Sequence, residues 1–306
     1  MGKCDLLLID GKNLLFRVGH SFRDLTYVDD ETGVEIAIGA VYGFLRVLTA
    51  IHKNWGGVPI ICWECQRAQN FRRDIYPEYK IKDSSDIEME YWVDSLRIQM
   101  GRVQRLLGQL GVRQAYCDRH EADDVMATLA NKMSKAGNKV VIYTNDADLL
   151  QAVRPGVRLV QPKKKGEDVW DEDRIRLEFG IEAAQFLDIK ALTGCNSDGV
   201  PGVRGIGEKR ALELIHEFGT VDNVLAAAID PKNEEHKLKR NLGLVRGNHD
   251  IVERAKLLVK LRNDVSLSWL PRDRNFKAFK ATILNKWKFN FFSSPNKLGD
   301  LLALGE

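Results

Sequence analysis

Glu121-Ala-Asp-Asp124-Val-Met-Ala-Thr-Leu129 and Lys139-Val-Val-Ile-Tyr-Thr144-Asn-Asp146-Ala-Asp148 are the two pieces of this 306-residue chain that decide its fold. In the first, Ala122, Val125 and Leu129 recur at helical spacing, so a helix opens near Glu121, with Glu121 and Asp124 sharing a face at i,i+3. Carboxylates there sit at the positive end of the helix dipole. The second reads as a buried parallel strand, which places Asp146 and Asp148 at its carboxyl end, where open α/β sheets build their sites. Each piece alone has a bland reading, as a charged first helical turn or an acidic loop. Together they concentrate five carboxylates, and such a crevice calls for hard divalent cations, Mg²⁺ or Mn²⁺.

Two further strands reinforce this. Asp5-Leu-Leu-Leu-Ile-Asp10 runs into Gly-Lys-Asn13, and Val58-Pro-Ile-Ile-Cys-Trp-Glu64 also ends in an acid. Acids closing three strands beside an acidic helix start form a constellation that single strand ends do not.

With 44% hydrophobic residues, the chain can bury a large core. No apolar run reaches membrane-spanning length and a strand begins within five residues, so neither a span nor a signal peptide is expected, and the inferred compartment is the cytoplasm. Cys4, Cys62, Cys65, Cys117 and Cys195 are an odd set suited to reduced thiols, and Cys62-x-x-Cys65 lacks the second pair a zinc site needs. Net charge is +3, unevenly placed: residues 201–306 hold 19 Lys and Arg against 13 Asp and Glu, and residues 1–200 hold 27 against 30. The basic part suits a polyanion, although a solvated basic face looks the same.

Strand and helix patterns alternate to about residue 190, which predicts an α/β fold with a mostly parallel central sheet flanked by helices. Residues 1–190 form the expected core and 191–306 a helical region. Gly33 to Leu48 and Ser95 to Leu110 read as helices, as do the stretches from Ile251 and from Phe276 to Lys288. Between residues 66 and 100 lies a charged, aromatic insertion with Arg67, Phe71, Arg72, Arg73, Tyr76, Tyr79, Lys80 and Lys82. Cations interleaved with aromatics suit backbone contact and base stacking, and equally an exposed helix. Farther on, Gly202-Val-Arg-Gly205-Ile-Gly207-Glu-Lys209-Arg210 opens a helix after a glycine-rich turn. Free N–H groups and nearby cations there suit a phosphate backbone, and the pattern is neither a P-loop nor a dinucleotide fingerprint.

In this order the motifs resemble the structure-specific 5′ nucleases: the 5′–3′ exonuclease domain of bacterial DNA polymerase I, phage 5′ exonucleases and flap endonucleases. The resemblance runs through Ile9-Asp10-Gly-x-Asn13, Phe71-Arg72 to Lys80, Glu121-Ala-Asp-Asp124, Thr144-x-Asp146-x-Asp148, Ala191-Leu-Thr-Gly194 to Asp198, and Gly205-Ile-Gly-Glu-Lys209. It implies a PIN-like fold with a helical arch, and a metal cluster of Asp10, Glu121, Asp123, Asp124, Asp146, Asp148 and Asp198 holding two divalent ions. Glu64 would stand beside them, and Lys80 would reach the scissile phosphate. It also implies a helix-3-turn-helix at 202–224 that grips duplex backbone and recruits K⁺. The implied partners are DNA with 5′ ends, flaps or nicks, and RNA–DNA hybrids, acted on by a monomer. No polymerase sequence follows, so a stand-alone nuclease is expected.

Two positions depart from the pattern the resemblance implies. Cys195-Asn-Ser-Asp198 has a thiol where an acid is expected, which predicts a weakened second metal site with Mn²⁺ preference and Zn²⁺ sensitivity, unless Cys195 is only a small buried residue. The arch reads Lys80-Ile-Lys82-Asp83 where an arginine is expected last. Two other classes compete: an acidic α/β phosphotransferase such as a phosphatase or Toprim-type protein, and a branched-DNA binding module disabled at Cys195. The arch-like segment with its glycine turn argues against the first, and the many carboxylates facing phosphate against the second.

Overall fold

The computed structural model describes residues 3–81 and 87–306; Lys82 and Asp83, expected in the arch, lie outside the described residues. Seven strands form one sheet: β1 (Leu6–Asp10), β4 (Val58–Glu64), β5 (Arg113–Cys117), β6 (Val140–Tyr143), β7 (Val157–Pro162), β8 (Glu167–Trp170) and β9 (Ser268–Trp269), in the order β8-β7-β6-β1-β4-β5-β9. The central five are parallel, and β8 and β9 close the edges antiparallel. The C-terminal region therefore contributes a short strand where the sequence reads as helix, and β9 covers the hydrogen-bonding edge of β5. Two short strands, β2 (Thr26–Val28) and β3 (Glu35–Ala37), pair separately. The latter falls inside the stretch expected to be helical.

Strand alternation sends side chains to two cores. Leu6, Leu8, Ile60, Cys62, Val140 and Ile142 face one cluster, which contains α5 (Ala122–Lys135), α7 (Phe186–Thr193) and α8 (Glu208–Phe218). Leu7, Ile9, Ile61, Trp63 and Val141 face the other, with α1 (Gly11–Ser21), α2 (Gly39–Trp55) and α4 (Ile87–Leu110). Burial on both faces explains why β1 is a continuous apolar run that ends only where Asp10 caps α1. The remaining helices used below are α3 (Asn70–Ile75), α6 (Glu172–Phe179), α9 (Val221–Ile229), α10 (Lys239–Arg246) and α11 (His249–Val259). Helix α4 begins eight residues before the expected Ser95, and the stretch from Phe276 is a short α-helix to Lys280 that passes into a π-helical turn over Ala281–Lys286.

All five cysteines are free thiols. No helix among the described residues is long and apolar enough to cross a membrane.

The loop from α7 to α8 folds back on itself. A Cβ on Gly202 would stand 2.1 Å from the Thr193 carbonyl carbon, and one on Gly194, at φ +71, 2.4 Å from the Gly202 nitrogen. Backbone crosses backbone there, so no side chain can move aside. Gly202→Ala is expected to destabilise the protein by about 1–3 kcal/mol, an overpacking cost measurable by chemical denaturation. Gly207→Ala, with nothing within 4 Å of the added carbon, should be near neutral.

Candidate metal centre and nucleic-acid face

Parallel β1, β4 and β6 end together, so Asp10, Glu64 and the Thr144–Asp148 turn share one edge. Asp10 caps α1: its Oδ1 accepts from the Asn13 amide at 2.9 Å and its Oδ2 from the Thr144 hydroxyl at 3.1 Å. Thr144 Oγ1 in turn accepts from the Asp146 amide (3.2 Å), and Asp146 Oδ1 accepts from the Asp148 amide (2.8 Å). These local bonds fix the acids before any ligand arrives.

The electrostatics of the edge are those of crowded anions. Burial, followed by the Glu64 and Asp146 charges, pushes the Asp10 carboxyl up to about 6 against the hydrogen bonds from Asn13 and Thr144. Asp123 is driven well above the ordinary carboxylate range by lost hydration and by Asp146, Asp10 and Glu121. Asp146 is raised by burial and by Asp148. Hard oxygen donors that penalise one another's charge are the donor set a divalent cation satisfies, so these residues fit Mg²⁺ or Mn²⁺.

Lysines approach the acids from two sides. Lys80 Nζ lies 2.6 Å from Glu121 Oε1 and 3.5 Å from Asp198, on a backbone at φ +53. Burial opposes its charge, but Glu121 and Asp198 more than restore it, so its pKa is raised and it stays an ammonium. Lys190 of α7 lies 2.7 Å from Asp148. Lys12 pairs with Glu64 at 2.5 Å. Neither Lys12 nor Lys190 was singled out from sequence; Lys190 had a signal, as the lone cation in the apolar run Ile189-Lys190-Ala191-Leu192.

Several sequence expectations need correction. Asp124 does not face the acids: fully buried, it binds Arg72 with both oxygens (2.6 and 3.0 Å) and accepts the Glu121 and Arg262 amides. The helix turn that aims Asp123 at Asp10 and Asp146 rotates Asp124 into the core. Arg72, expected on a nucleic-acid surface, is 3% exposed and spends its donors on Asp124 and on the Leu258 and Lys260 carbonyls at the end of α11. Tyr79 is likewise buried. Its hydroxyl lies 2.7 Å from Glu121 and 3.1 Å from Asp198, so it organises acids and is unavailable for base stacking. Gly202 is a packing position, whereas Gly205 (φ +90) and Gly207 lie exposed just before α8.

Of the other expected cations, Arg67 is exposed and pairs with Asp118, and Arg73 donates to the Tyr79 carbonyl. Lys209 is exposed in the first turn of α8, and Arg210 donates to the Gly205 carbonyl. Cys195 lies beside the acids: Asp148, Cys195 and Asp198 bring one ligand atom each to within 4.8 Å of one another. Burial pushes the thiol above its ordinary value, while the Ser197 hydroxyl at 3.0 Å counteracts it.

An acidic centre at the carboxyl edge of a parallel sheet, faced by a lysine from an inserted helical segment, defines an α/β protein with a candidate divalent-metal site. The comparisons specify which. The family model described as 5′–3′ exonuclease, N-terminal resolvase-like domain, matches residues 5–180, and that described as 5′–3′ exonuclease, C-terminal SAM fold, matches residues 181–282. The chain belongs to the 5′–3′ exonuclease family. It is 31% identical over 272 residues to a 5′–3′ exonuclease of Aquifex aeolicus, covering 89% of this chain and 86% of that protein. It is 32% identical over 279 residues to the thermostable DNA polymerase I of Thermus thermophilus, covering 90% of this chain but spanning only 31% of that longer protein. Among solved structures, the T5 D15 protein co-crystallised with metal ions superimposes with a TM-score of 0.69 at 18% identity, over 98% of this chain and 99% of that one. The flap endonuclease-1 of Methanococcus jannaschii gives 0.61 at 17% identity, over 99% and 93%. At such identities these two show the fold.

Proposed function

We propose that this chain is a divalent-metal-dependent 5′ nuclease that hydrolyses phosphodiesters at 5′ ends, flaps or nicks of DNA, and of RNA in RNA–DNA hybrids, leaving 5′-phosphates. The observation that carries the reading is the convergence of Asp10, Asp123 and Asp146, each raised by burial and by its neighbours' charge, opposite Lys80. Asp10, Glu121, Asp123, Asp146, Asp148 and Asp198 would hold two cations. Those ions, when bound, acidify a water and offset the charge of the attacking and leaving oxygens.

The chain's own residues do the rest. Asp10 and Asp146 keep fixed orientations through Thr144. Tyr79 ties Glu121 to Asp198, so the α3 segment and the α7–α8 loop meet at the acids. Lys80, held protonated 2.6 Å from Glu121, would be placed to pair with a phosphate oxygen at the acids. The exposed turn before α8, with Lys209 and Arg210, suits a duplex backbone and K⁺ at its carbonyls. In this reading residues 1–190 carry the chemistry and 191–306 grip the nucleic acid, in a monomer working in the cytoplasm.

The test is Mg²⁺- or Mn²⁺-dependent cutting of a labelled 5′-flap DNA near its junction. Binding without cutting in either metal would instead make the chain a branched-DNA binder.

Cys195 tunes the centre in this reading. A neutral, buried thiol is a poor partner for Mg²⁺. Cys195→Asp is expected to move the Mg²⁺ titration of cleavage to lower concentration and to reduce inhibition by Zn²⁺. Unchanged midpoints in both titrations would show that Cys195 only fills space.

A further inference from the structure

The hairpin joining β7 to β8 carries Lys163-Lys164-Lys165-Gly166, a cationic run that neither the acidic centre nor the turn before α8 uses. Gly166, at φ +81, makes the tight turn, and its carbonyl accepts from the Lys163 amide at 3.1 Å. β7 is parallel to β6, so this hairpin rises from the same sheet edge as the acids. It is also tied to them, because Gln161 donates from Nε2 to the carbonyl of Asn145, the residue before Asp146, at 3.2 Å.

Between the hairpin and α1 lies a cavity of about 810 Å³ lined by Arg17, Ser21, Tyr143, Asn145, Lys163 and Lys164 among others. Its chemistry is that of an anion path. Arg17 Nη1 is buried with no hydrogen-bond partner among the described residues, while its guanidinium, 5.5 Å from the Tyr143 ring centroid, acts on the Tyr143 hydroxyl against the rise in pKa that burial gives it. A buried donor without an acceptor is costly unless a ligand supplies one. Lys163 pairs with Asp168 at 3.4 Å, with both side chains well exposed, a contact worth little and easily exchanged. The one carboxylate in the lining, Glu167, already accepts from Trp55 Nε1 at 3.0 Å.

We infer that this groove holds the phosphodiester backbone of a single nucleic-acid strand entering or leaving the acidic centre. The inference rests on the nuclease reading and adds a second cationic contact, remote in sequence from Lys209 and Arg210. A helix on one side and a hairpin on the other make an open groove. Cationic grooves that carry an aromatic ring, as this one carries that of Tyr143, track the backbone of single strands. Asn145 on the floor leads directly to Asp146.

The experiment measures binding by fluorescence anisotropy across a salt series. Ca²⁺ replaces Mg²⁺, because its larger, looser coordination neutralises the acids while serving catalysis poorly. The probes are a blunt DNA duplex and the same duplex with a single-stranded 5′ extension, both checked on a gel for integrity. The variant K163E/K164E/K165E changes only hairpin-tip residues, and its melting temperature is checked against wild type. For the extended probe, the slope of log affinity against log salt should become shallower by at least about 1.4, the loss of the two single-strand phosphate contacts made by Lys163 and Lys164. For the blunt probe it should not change. Arg17→Met should weaken the extended probe alone. An unchanged slope on the extended probe overturns the groove, and so does equal weakening of both probes. Wild-type protein that binds neither probe overturns the nuclease reading along with it.

Discussion

Asp146→Asn is expected to lower the cleavage rate at least about a hundredfold and to leave the melting temperature of the metal-free protein unchanged or higher. The rate expectation follows from the role assigned to Asp146, since removal even of residues that only orient metal ligands costs roughly 10–100-fold. The stability expectation follows from geometry. Asp146 caps the turn through one oxygen that accepts from the Asp148 amide, and an asparagine carbonyl serves there as well. The other substituent becomes an uncharged amide among carboxylates that raise one another's pKa, so repulsion falls. Single-turnover cleavage in Mg²⁺ and thermal unfolding in chelator measure the two halves. Cutting at near wild-type rates would remove Asp146 from the centre, and a large fall in melting temperature would assign it a structural role instead.

The contrast with Asp124 shows what the sequence could and could not reveal. Strand ends at Asp10 and Glu64, the helix start at Glu121 and the turn at Asp146 were legible because each is set by local pattern: an apolar run, a capping acid, a change of period. Family membership was legible because those local patterns come in a fixed order. The direction of Asp124 was not, since adjacent helical residues differ by about 100° and only the tertiary setting says which one faces the sheet edge. Nor was the burial of Arg72 and Tyr79. Basic and aromatic residues alternate both on nucleic-acid surfaces and in buried polar networks, and the partners here lie 52 and 42 residues away in sequence. Lys190 reaches Asp148 only because α7 lies beside the turn at residues 147–152, a non-local contact with no periodic trace.

Arg72→Met is expected to destabilise the protein by about 3–5 kcal/mol, the usual cost of leaving a buried charge without its partner. Its guanidinium lies 2.6 Å and 3.0 Å from the two Asp124 oxygens, 3.2 Å from Glu121 and 2.8 Å from the Leu258 carbonyl. One side chain thus joins α3, the start of α5 and the end of α11, where helix carbonyls lack internal partners. Methionine keeps much of the stem volume, so the loss reports on charge and hydrogen bonds more than on a cavity. Arg72→Lys should recover little, because an ammonium cannot reproduce the bidentate fork. The double variant R72M/D124L removes both charges and should regain part of the stability, short of wild type because the Glu121 and Arg262 amides lose their Asp124 acceptor. Chemical denaturation of wild type, R72M, D124L and R72M/D124L gives the coupling directly. Equal losses in the single and double variants would mean that Arg72 acts through the α11 carbonyls rather than through Asp124. Recovery of stability without recovery of cleavage would mean that the pair serves to hold the Tyr79 and Lys80 segment against Glu121.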